Sequence, residues 1–303
     1  MIELFIEWFK KLDTTLQTLL ISTLTTIFFG IFTRFYNILY ERYSLTYKLK
    51  KEFEFSQRKM LKEEIAKNKI PLLNILEELN YRILTLNKNV GSGSLDIPWL
   101  NVSQANWFQN EQYFVNSFVY RYLIFLHFVL KTENDTISID STIADKSDIS
   151  YLTYIKTFKN LFTEVDILKD LNYFPTRDDH HFFKNDLETY ASWVLLNGVV
   201  MSFEEFKERL RTNYTQYKKV IEYFTTIKND DQDMNLNVLR GFHLIIIKFL
   251  NSYGHNYQKT EKEKLKKLCI KYKVNLKIKK GYIEFLEKNK LEKEMCDVIK
   301  LLK

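Results

Sequence analysis

The sequence predicts a mainly α-helical fold: an N-terminal single transmembrane helix, a long stalk helix and a cytosolic helical bundle domain. Three observations carry this. Seven glycines and three prolines are few for 303 residues, and long stretches without either favour helices over the turn-rich pattern of sandwiches and barrels. An apolar fraction of 46% and an aromatic fraction of 16% suffice to bury a substantial core and exclude a disordered chain. Finally, residues 14–33 run for twenty positions without a charge, although 27% of the chain is charged. A helix of that length spans the hydrocarbon of a bilayer.

Taken in order, residues 1–13 place Ile2, Phe5, Ile6, Phe9 and Leu12 on one helical face, with Trp8 beside it, which predicts a short interfacial leader. Residues 14–33 follow as the membrane helix. No small-residue cleavage site comes after the apolar run, so it is expected to be a retained anchor rather than a signal peptide. Arg34, Arg42, Lys48, Lys50 and Lys51 follow the span, while Lys10 and Lys11 precede it. Positive charge stays cytoplasmic, which puts the N-terminus outside and the large domain in the cytosol. Trp8, Tyr36, Tyr40 and Tyr43 bracket the span as interfacial aromatics. Richness in Lys, Asn, Ile, Phe and Tyr resembles coding by an A+T-rich bacterial genome, and the membrane would then be a bacterial inner membrane.

Residues 34–70 alternate charged and apolar positions with helical spacing, through Phe35, Ile38, Leu39, Leu45, Leu49, Phe53, Met60, Leu61 and Ile65, and predict the stalk. Pro71 suits the first turn of a new helix and biases Ile70 out of the α region, so the chain is expected to change direction there. Residues 71–255 make the cytosolic helical domain. Its first helix is strongly apolar from Leu72 to Leu86, and residues 90–98, with two glycines, two serines and a proline, form a loop. A helix beginning near Asn106 or Asn110 and ending near Lys131 is apolar almost all round and should be the domain's central helix. Asn116, Arg121 and His127 argue against its being a second span. Residues 132–148 read as a polar connector, possible β structure included. Helices are expected near residues 149–168, 177–196, 202–211, 214–227 and 236–251, with Ser202 and Glu205 forming a capping box. Residues 256–303 form a lysine-rich helical segment: a short strand is possible at 274–278, then a helix over 282–302.

The anchor has two unlike faces. At 100° per residue, Thr15, Thr18, Ser22, Thr25, Thr26 and Thr33 cluster on one side with Gly30 adjacent, and Leu16, Leu20, Leu24, Ile27 and Ile31 occupy much of the rest. Small and hydroxylated residues let membrane helices approach and bond across, so self-assembly follows, with this stripe as helix contact or pore lining. The other reading is that the hydroxyls bond back to their own helix carbonyls.

Net charge is +7, and between residues 259 and 280 ten lysines face two glutamates. Lys262, Lys266, Lys267, Lys271, Lys273, Lys277, Lys279 and Lys280 are the candidate ligand-binding positions. Their partner is expected to be single-stranded nucleic acid or an oligonucleotide; anionic lipid headgroups or plain solvent are the alternatives. Catalytic candidates are thin. Arg121 followed by His127 has the general form of a HEPN-type ribonuclease site, in which histidine moves the 2′-hydroxyl proton while arginine holds the phosphate. Six residues of helix turn the two side chains about 120° from eclipsed, however, and a snorkelling arginine with a core histidine accounts for both. Asp178-Asp179-His180-His181 looks like metal ligands but sits at a loop-to-helix junction where acids cap helices. Arg240-Gly241-Phe242-His243 is weaker still. Cys269 and Cys296 lack metal-ligand spacing. Nucleotide-binding, hydrolase and zincin motifs are absent from the sequence, so no cofactor, no metal and no enzymatic activity are expected.

The segment Pro71-Leu-Leu-Asn-Ile-Leu-Glu-Glu-Leu-Asn-Tyr-Arg-Ile83, with Tyr113 to Leu130, Phe182 to Tyr190 and Phe203 to Phe206, resembles bacterial single-pass membrane-anchored helical proteins of unassigned function. One anchor plus a cytosolic helical sensor is similar to membrane effectors of antiphage defence, the membrane subunit of Hailong-type systems among them. That resemblance implies a homo-oligomeric channel of four or more copies, gated by a nucleic-acid-like ligand, with depolarisation as its output. An operon-encoded enzyme making the ligand would be a further partner.

Overall fold

In the computed structural model, residues 2–89, 113–173, 180–227 and 230–303 are described. About 81% is helical, and the only strands among the described residues form one two-stranded hairpin. The chain divides into two units, Met1–Lys59 and Met60–Lys303.

The first unit contains α1 (Ile2–Lys10) and the opening of α2 (Thr14–Asn89). The turn between them is closed by Gln17, whose amide donates to the carbonyls of Phe9 and Leu12 at 2.9 and 3.0 Å. Carbonyls at the end of α1, which have no intrahelical donor, thereby gain one.

The helix α2 does not break at Pro71. This corrects the expected change of direction between stalk and domain. Proline removes one intrahelical hydrogen bond and crowds the preceding turn, at a cost of roughly 3 kcal/mol. Burial on both sides of it outweighs that cost. Leu61 and Ile65 before the proline, and Leu72, Leu73, Leu76 and Leu79 after it, all enter one core. Asn68, three residues ahead of the proline, is buried and donates to Asp135 at 2.8 Å. The helical domain therefore begins near Met60, and the last turns of the expected 34–70 stalk belong to it.

Around this stretch of α2 the second unit is assembled from α3 (Tyr113–Thr136), α4 (Lys146–Leu161), α5 (Leu187–Ser192), α6 (Phe203–Thr212), α7 (Tyr214–Thr225), α8 (Met234–Tyr253), α9 (Lys262–Asn275), α10 (Lys279–Lys288) and α11 (Cys296–Leu302). As expected from its all-round apolarity, α3 is central: it packs against α4, α5, α6 and α7. Aromatic rings knit it and the end of α4 to α8, with Phe242 lying 5.0 Å from Phe125 of α3 and 5.1 Å from Phe162, which caps α4, centroid to centroid. The start expected near Asn106 or Asn110 and the loop at 90–98 lie outside the described residues.

Several boundaries differ from expectation. Residues 132–148 hold the end of α3 and a 3-10 turn (Ser141–Ile143), with no strand. The helix expected over 149–168 ends at Leu161, and a 3-10 segment, Val165–Leu171, replaces its second half. Of the helix expected over 177–196, residues 177–179 lie outside the described ones; from 180 onward only α5 is α-helical, after a 3-10 turn at Lys184–Asp186, and its expected end is lost because Asn197 and Gly198 take positive φ of 52° and 80° and turn the chain into a hairpin, β1 (Leu195–Leu196) on β2 (Val199–Val200). Asn-Gly with both residues left-handed is the preferred two-residue hairpin turn. No strand forms at 274–278, where α9 simply ends. The helix expected over 282–302 breaks at Lys290, φ 59°, and is divided between α10 and α11.

Candidate functional site

Two features stand apart from the ordinary packing of the helical domain: the uncharged start of α2 and the outer face of α9. The most apolar eighteen-residue window of α2 has mean hydropathy 1.6, and none of it is buried. Leu19, Phe28, Phe29 and Ile31 are each more than 60% exposed, although burying such a side chain stabilises by about 1.5–3 kcal/mol. This helix is long and apolar enough to cross a membrane. Exposure of large apolar side chains continues beyond it: Phe35, Ile38, Leu45, Leu49 and Phe53 recur at helical spacing along one stripe and are all exposed.

The hydroxyl face has a definite geometry. Thr18 donates to the carbonyl of Thr14 at 2.8 Å, Ser22 to Leu19 at 3.0 Å, Thr25 to Ile21 at 2.7 Å and Thr26 to Ser22 at 2.8 Å. Thr15 donates instead to the Asp13 carboxylate at 3.0 Å. Within one chain these hydroxyls are thus satisfied by the helix's own carbonyls or by Asp13. Thr33 lies along the same stripe by helical phase. A Cβ on Gly30 would meet nothing within 4 Å, so the backbone there is open to close approach.

The lysine block is divided by α9. Leu265, Cys269 and Tyr272 point into the core, while Lys262, Lys266, Lys267, Lys271 and Lys273 are exposed. Lys277 and Lys279 turn back on the chain, donating to the carbonyls of Val274 and Lys273, both at 3.0 Å. Lys280 is exposed on α10. Two of the eight lysines are thus engaged by carbonyls of their own chain. Burial, with Arg240 nearby, lowers the pKa of Lys271 from its ordinary value.

The catalytic candidates are held by partners of their own. Arg121 pairs through Nε with Glu78 and donates from Nη1 to the Ser117 carbonyl at 2.9 Å. His127 is half-buried with its ring edge-on to Phe128, and burial, aided by Lys131, lowers its pKa. No hydrogen bond or ring contact joins Arg121 to His127 among the described residues.

Asp178 and Asp179 lie outside the described residues. His180 and His181 go separate ways. His180 Nδ1 lies 2.8 Å from the side-chain oxygen of Asn235, whose amide group donates to the Tyr223 carbonyl; the histidine must therefore be the donor. His181 is buried, with Nδ1 2.8 Å from the Tyr173 hydroxyl. A cavity of about 620 Å³ opens beside His180, lined by Lys219, Glu222, Thr226, Asp230 and Gln232 among others. Of the three acids that line it among the described residues, two already serve the backbone, Asp233 capping α8 through the Leu236 N–H and Asp230 accepting from the Gln232 N–H, and the third, Glu222, lies 3.6 Å from the Lys218 ammonium. No group of three His, Cys, Asp or Glu side chains that could hold a metal occurs among the described residues.

Arg240 to His243 is a buried polar clamp. The guanidinium of Arg240 is 1% exposed, pairs with Asp231 at 2.8 Å and donates to the Asn275 carbonyl at 2.7 Å. The Gly241 carbonyl accepts from the Tyr282 hydroxyl at 2.9 Å, and a Cβ at Gly241 would lie 2.8 Å from the Tyr282 ring. His243 sits between Tyr272 Oη, 2.8 Å from Nδ1, and Asn80 Oδ1, 2.9 Å from Nε2. The amide oxygen of Asn80 only accepts, so Nε2 carries the proton and Tyr272 donates to Nδ1. Complete burial pushes the His243 pKa down to about 3. Sequence reasoning missed the partners Asn80, Asp231 and Tyr272; Asn80 and Tyr272 lie far from His243 along the chain, and Asp231, nine residues before Arg240, belongs to no pairing pattern.

No protein-family model, curated protein or solved structure matches this chain.

Proposed function

We propose that this chain is a single-pass membrane effector. Copies of it assemble through the start of α2 and leak ions when the helical domain, through its basic C-terminal segment, engages an anionic partner. The observation that carries this reading is the exposed, uncharged run at residues 14–33. It continues into the exposed stripe from Phe35 to Phe53, in a chain whose other large apolar helices are buried. Water does not stabilise such a surface; lipid around the first part and neighbouring copies along both would. By the positive-inside rule the domain is cytosolic, in the inner membrane of a bacterium. The resemblance to antiphage effectors supplies the setting, in which depolarisation stops an infected cell.

Reconstitution tests the pore. Purified protein in liposomes passes ions under at least one anionic condition, and Ser22→Leu with Thr26→Leu on the small face lowers that flux and the toxicity of the protein in cells. Absence of flux under every condition, with toxicity unaltered in the double variant, removes the pore. Replacing residues 14–33 with an unrelated spanning helix abolishes activity if the helix is the effector, and preserves it if the anchor only localises an adaptor.

A further inference from the structure

Beyond the span, the exposed apolar side chains of α2 follow a seam. Phe35, Ile38, Leu45, Leu49 and Phe53 are exposed, and with Arg42 in the one gap their spacing is three, four, three, four and four. Alternating threes and fours are the a and d pattern by which helices wind around one another. Charge recurs through the stretch at Arg34, Glu41, Lys48, Lys50, Lys51 and Glu52, so its surroundings are aqueous. Because α2 runs on unbroken from the span, the seam is carried out of the bilayer and lipid does not cover it. Neither Glu41 nor Arg42 makes a side-chain ion pair among the described residues.

We infer that residues 35–53 pair with the same residues of a second copy as a parallel coiled coil, in which Arg42 meets Glu41 of the partner copy. This deepens the membrane-effector reading and rests on it for the anchor, which sets every copy in one membrane at one height and so makes the pairing parallel and in register. In that geometry a knob at an a position enters a hole made of four residues of the facing helix. Arg42 enters the hole formed by Ile38, Glu41, Arg42 and Leu45 of the partner copy. Two guanidiniums then share one layer with two Glu41 carboxylates beside them, so charges that lack a partner in one chain neutralise each other in two. A polar residue at a single a position also fixes register and copy number, which a wholly apolar seam leaves loose. Twenty residues separate Ser22 from Arg42, about 2000° of helix, or about 200° past whole turns. The seam and the small hydroxyl face of the span therefore point nearly opposite ways. A copy paired through its stalk keeps that face free for a further copy, and the larger assembly is built from stalk dimers.

Cysteine cross-linking of the full chain in detergent tests this. Cys296 is changed to Ser, and Cys269 stays unreactive because it is buried with its thiol pKa pushed up to about 11. Leu45→Cys, at a d position, is expected to give disulfide-linked dimers under copper-phenanthroline oxidation at severalfold the yield of Tyr47→Cys, an exposed position on the other side of the helix. Glu41→Arg or Arg42→Glu alone lowers the Leu45→Cys yield severalfold, and the two together restore it. Equal yields at the two positions overturn the proposal. So does the absence of Leu45→Cys dimers at every protein concentration, which would leave the seam to a different protein. A double reversal no better than either single one overturns the pairing of Arg42 with Glu41. Liposome flux is read separately: dimers at Leu45→Cys in a chain that passes no ions under any condition remove the pore and keep the stalk contact, whereas flux without those dimers does the reverse.

Discussion

Residues 14–33 and α8 are the same length and both strongly apolar, yet their polar groups find partners in opposite ways. Fifteen of the twenty residues of α8 are buried, and its polar side chains depend on other segments: Asn235 on Tyr223 and His180, Arg240 on Asp231 and Asn275, His243 on Asn80 and Tyr272. Residues 14–33 are exposed, and from Thr18 to Thr26 their hydroxyls bond to the helix's own carbonyls. The amide, guanidinium and imidazole groups of α8 export their hydrogen bonds to the fold, whereas the short hydroxyls of residues 14–33 keep theirs, as the buried Thr132 and Thr157 of α3 and α4 also do. Polar groups that keep their bonds suit hydrocarbon, which offers no partner, and long polar side chains that need one do not.

The largest effect that would sharpen this contrast comes from removing an exported partner. Asp231→Ala leaves the guanidinium of Arg240 buried with only the Asn275 carbonyl; the Asp231 carboxylate is itself 37% exposed, so the cost falls below that of a fully buried pair, at about 1.5–3 kcal/mol for a hydrogen bond to a charged group. Chemical unfolding of the full chain in detergent, followed by near-ultraviolet dichroism of the packed tyrosines, should show a loss of that size. A loss below about 1 kcal/mol would place Arg240 among the solvated arginines and break the contrast on the α8 side.

Acid gives the next effect. The pKa of His243 is about 3 in the fold against about 6.5 unfolded, so between those values the unfolded chain binds the extra proton. Stability is complete above about pH 6.5 and falls as the pH drops through the window, by about 1.4 kcal/mol per unit. Unfolding free energies at about pH 7 and about pH 5 should therefore differ by about 2 kcal/mol. In His243→Gln, which cannot titrate, the difference should be much smaller. Parallel slopes in the two proteins would acquit His243.

How far the sequence can be read follows the same division. Whatever depends on local pattern was legible: the mainly helical class, the apolar run at 14–33, the central position of α3 and the capping box, in which Ser202 accepts from the Glu205 N–H and Glu205 accepts from the Ser202 N–H. The Asn197-Gly198 turn was legible in principle, since that dipeptide favours left-handed φ at both positions. Pro71 misled because its local cost is certain while the burial offsetting it comes from residues distant along the chain. Arg240 and His243 read as weak candidates, and their meaning lay in Asp231, Asn80 and Tyr272, which only folding brings to them. The lysine block was legible as a run of candidate ligand positions, but periodicity does not tell where α9 ends. Lys277 and Lys279 follow that end, and their ammonium groups are spent on carbonyls.

The smallest effect tests the membrane side of the comparison. Thr25 donates to the Ile21 carbonyl at 2.7 Å, an oxygen that the helix backbone also uses, so Thr25→Val removes a redundant bond and leaves a side chain of the same shape. If the hydroxyls remain with their own helix, the free energy of self-association in detergent, measured by energy transfer between labelled copies, shifts by less than about 0.5 kcal/mol. The small face then acts by letting helices approach, with the open backbone at Gly30 as its closest point. A shift of about 1 kcal/mol or more would mean that Thr25 leaves Ile21 to bond across copies, since hydrogen bonds between membrane helices average about 0.6 kcal/mol and reach about 1.7. In that case residues 14–33, like α8, export polar groups on assembly, and the difference between the two helices would be whether the partner lies in the same chain.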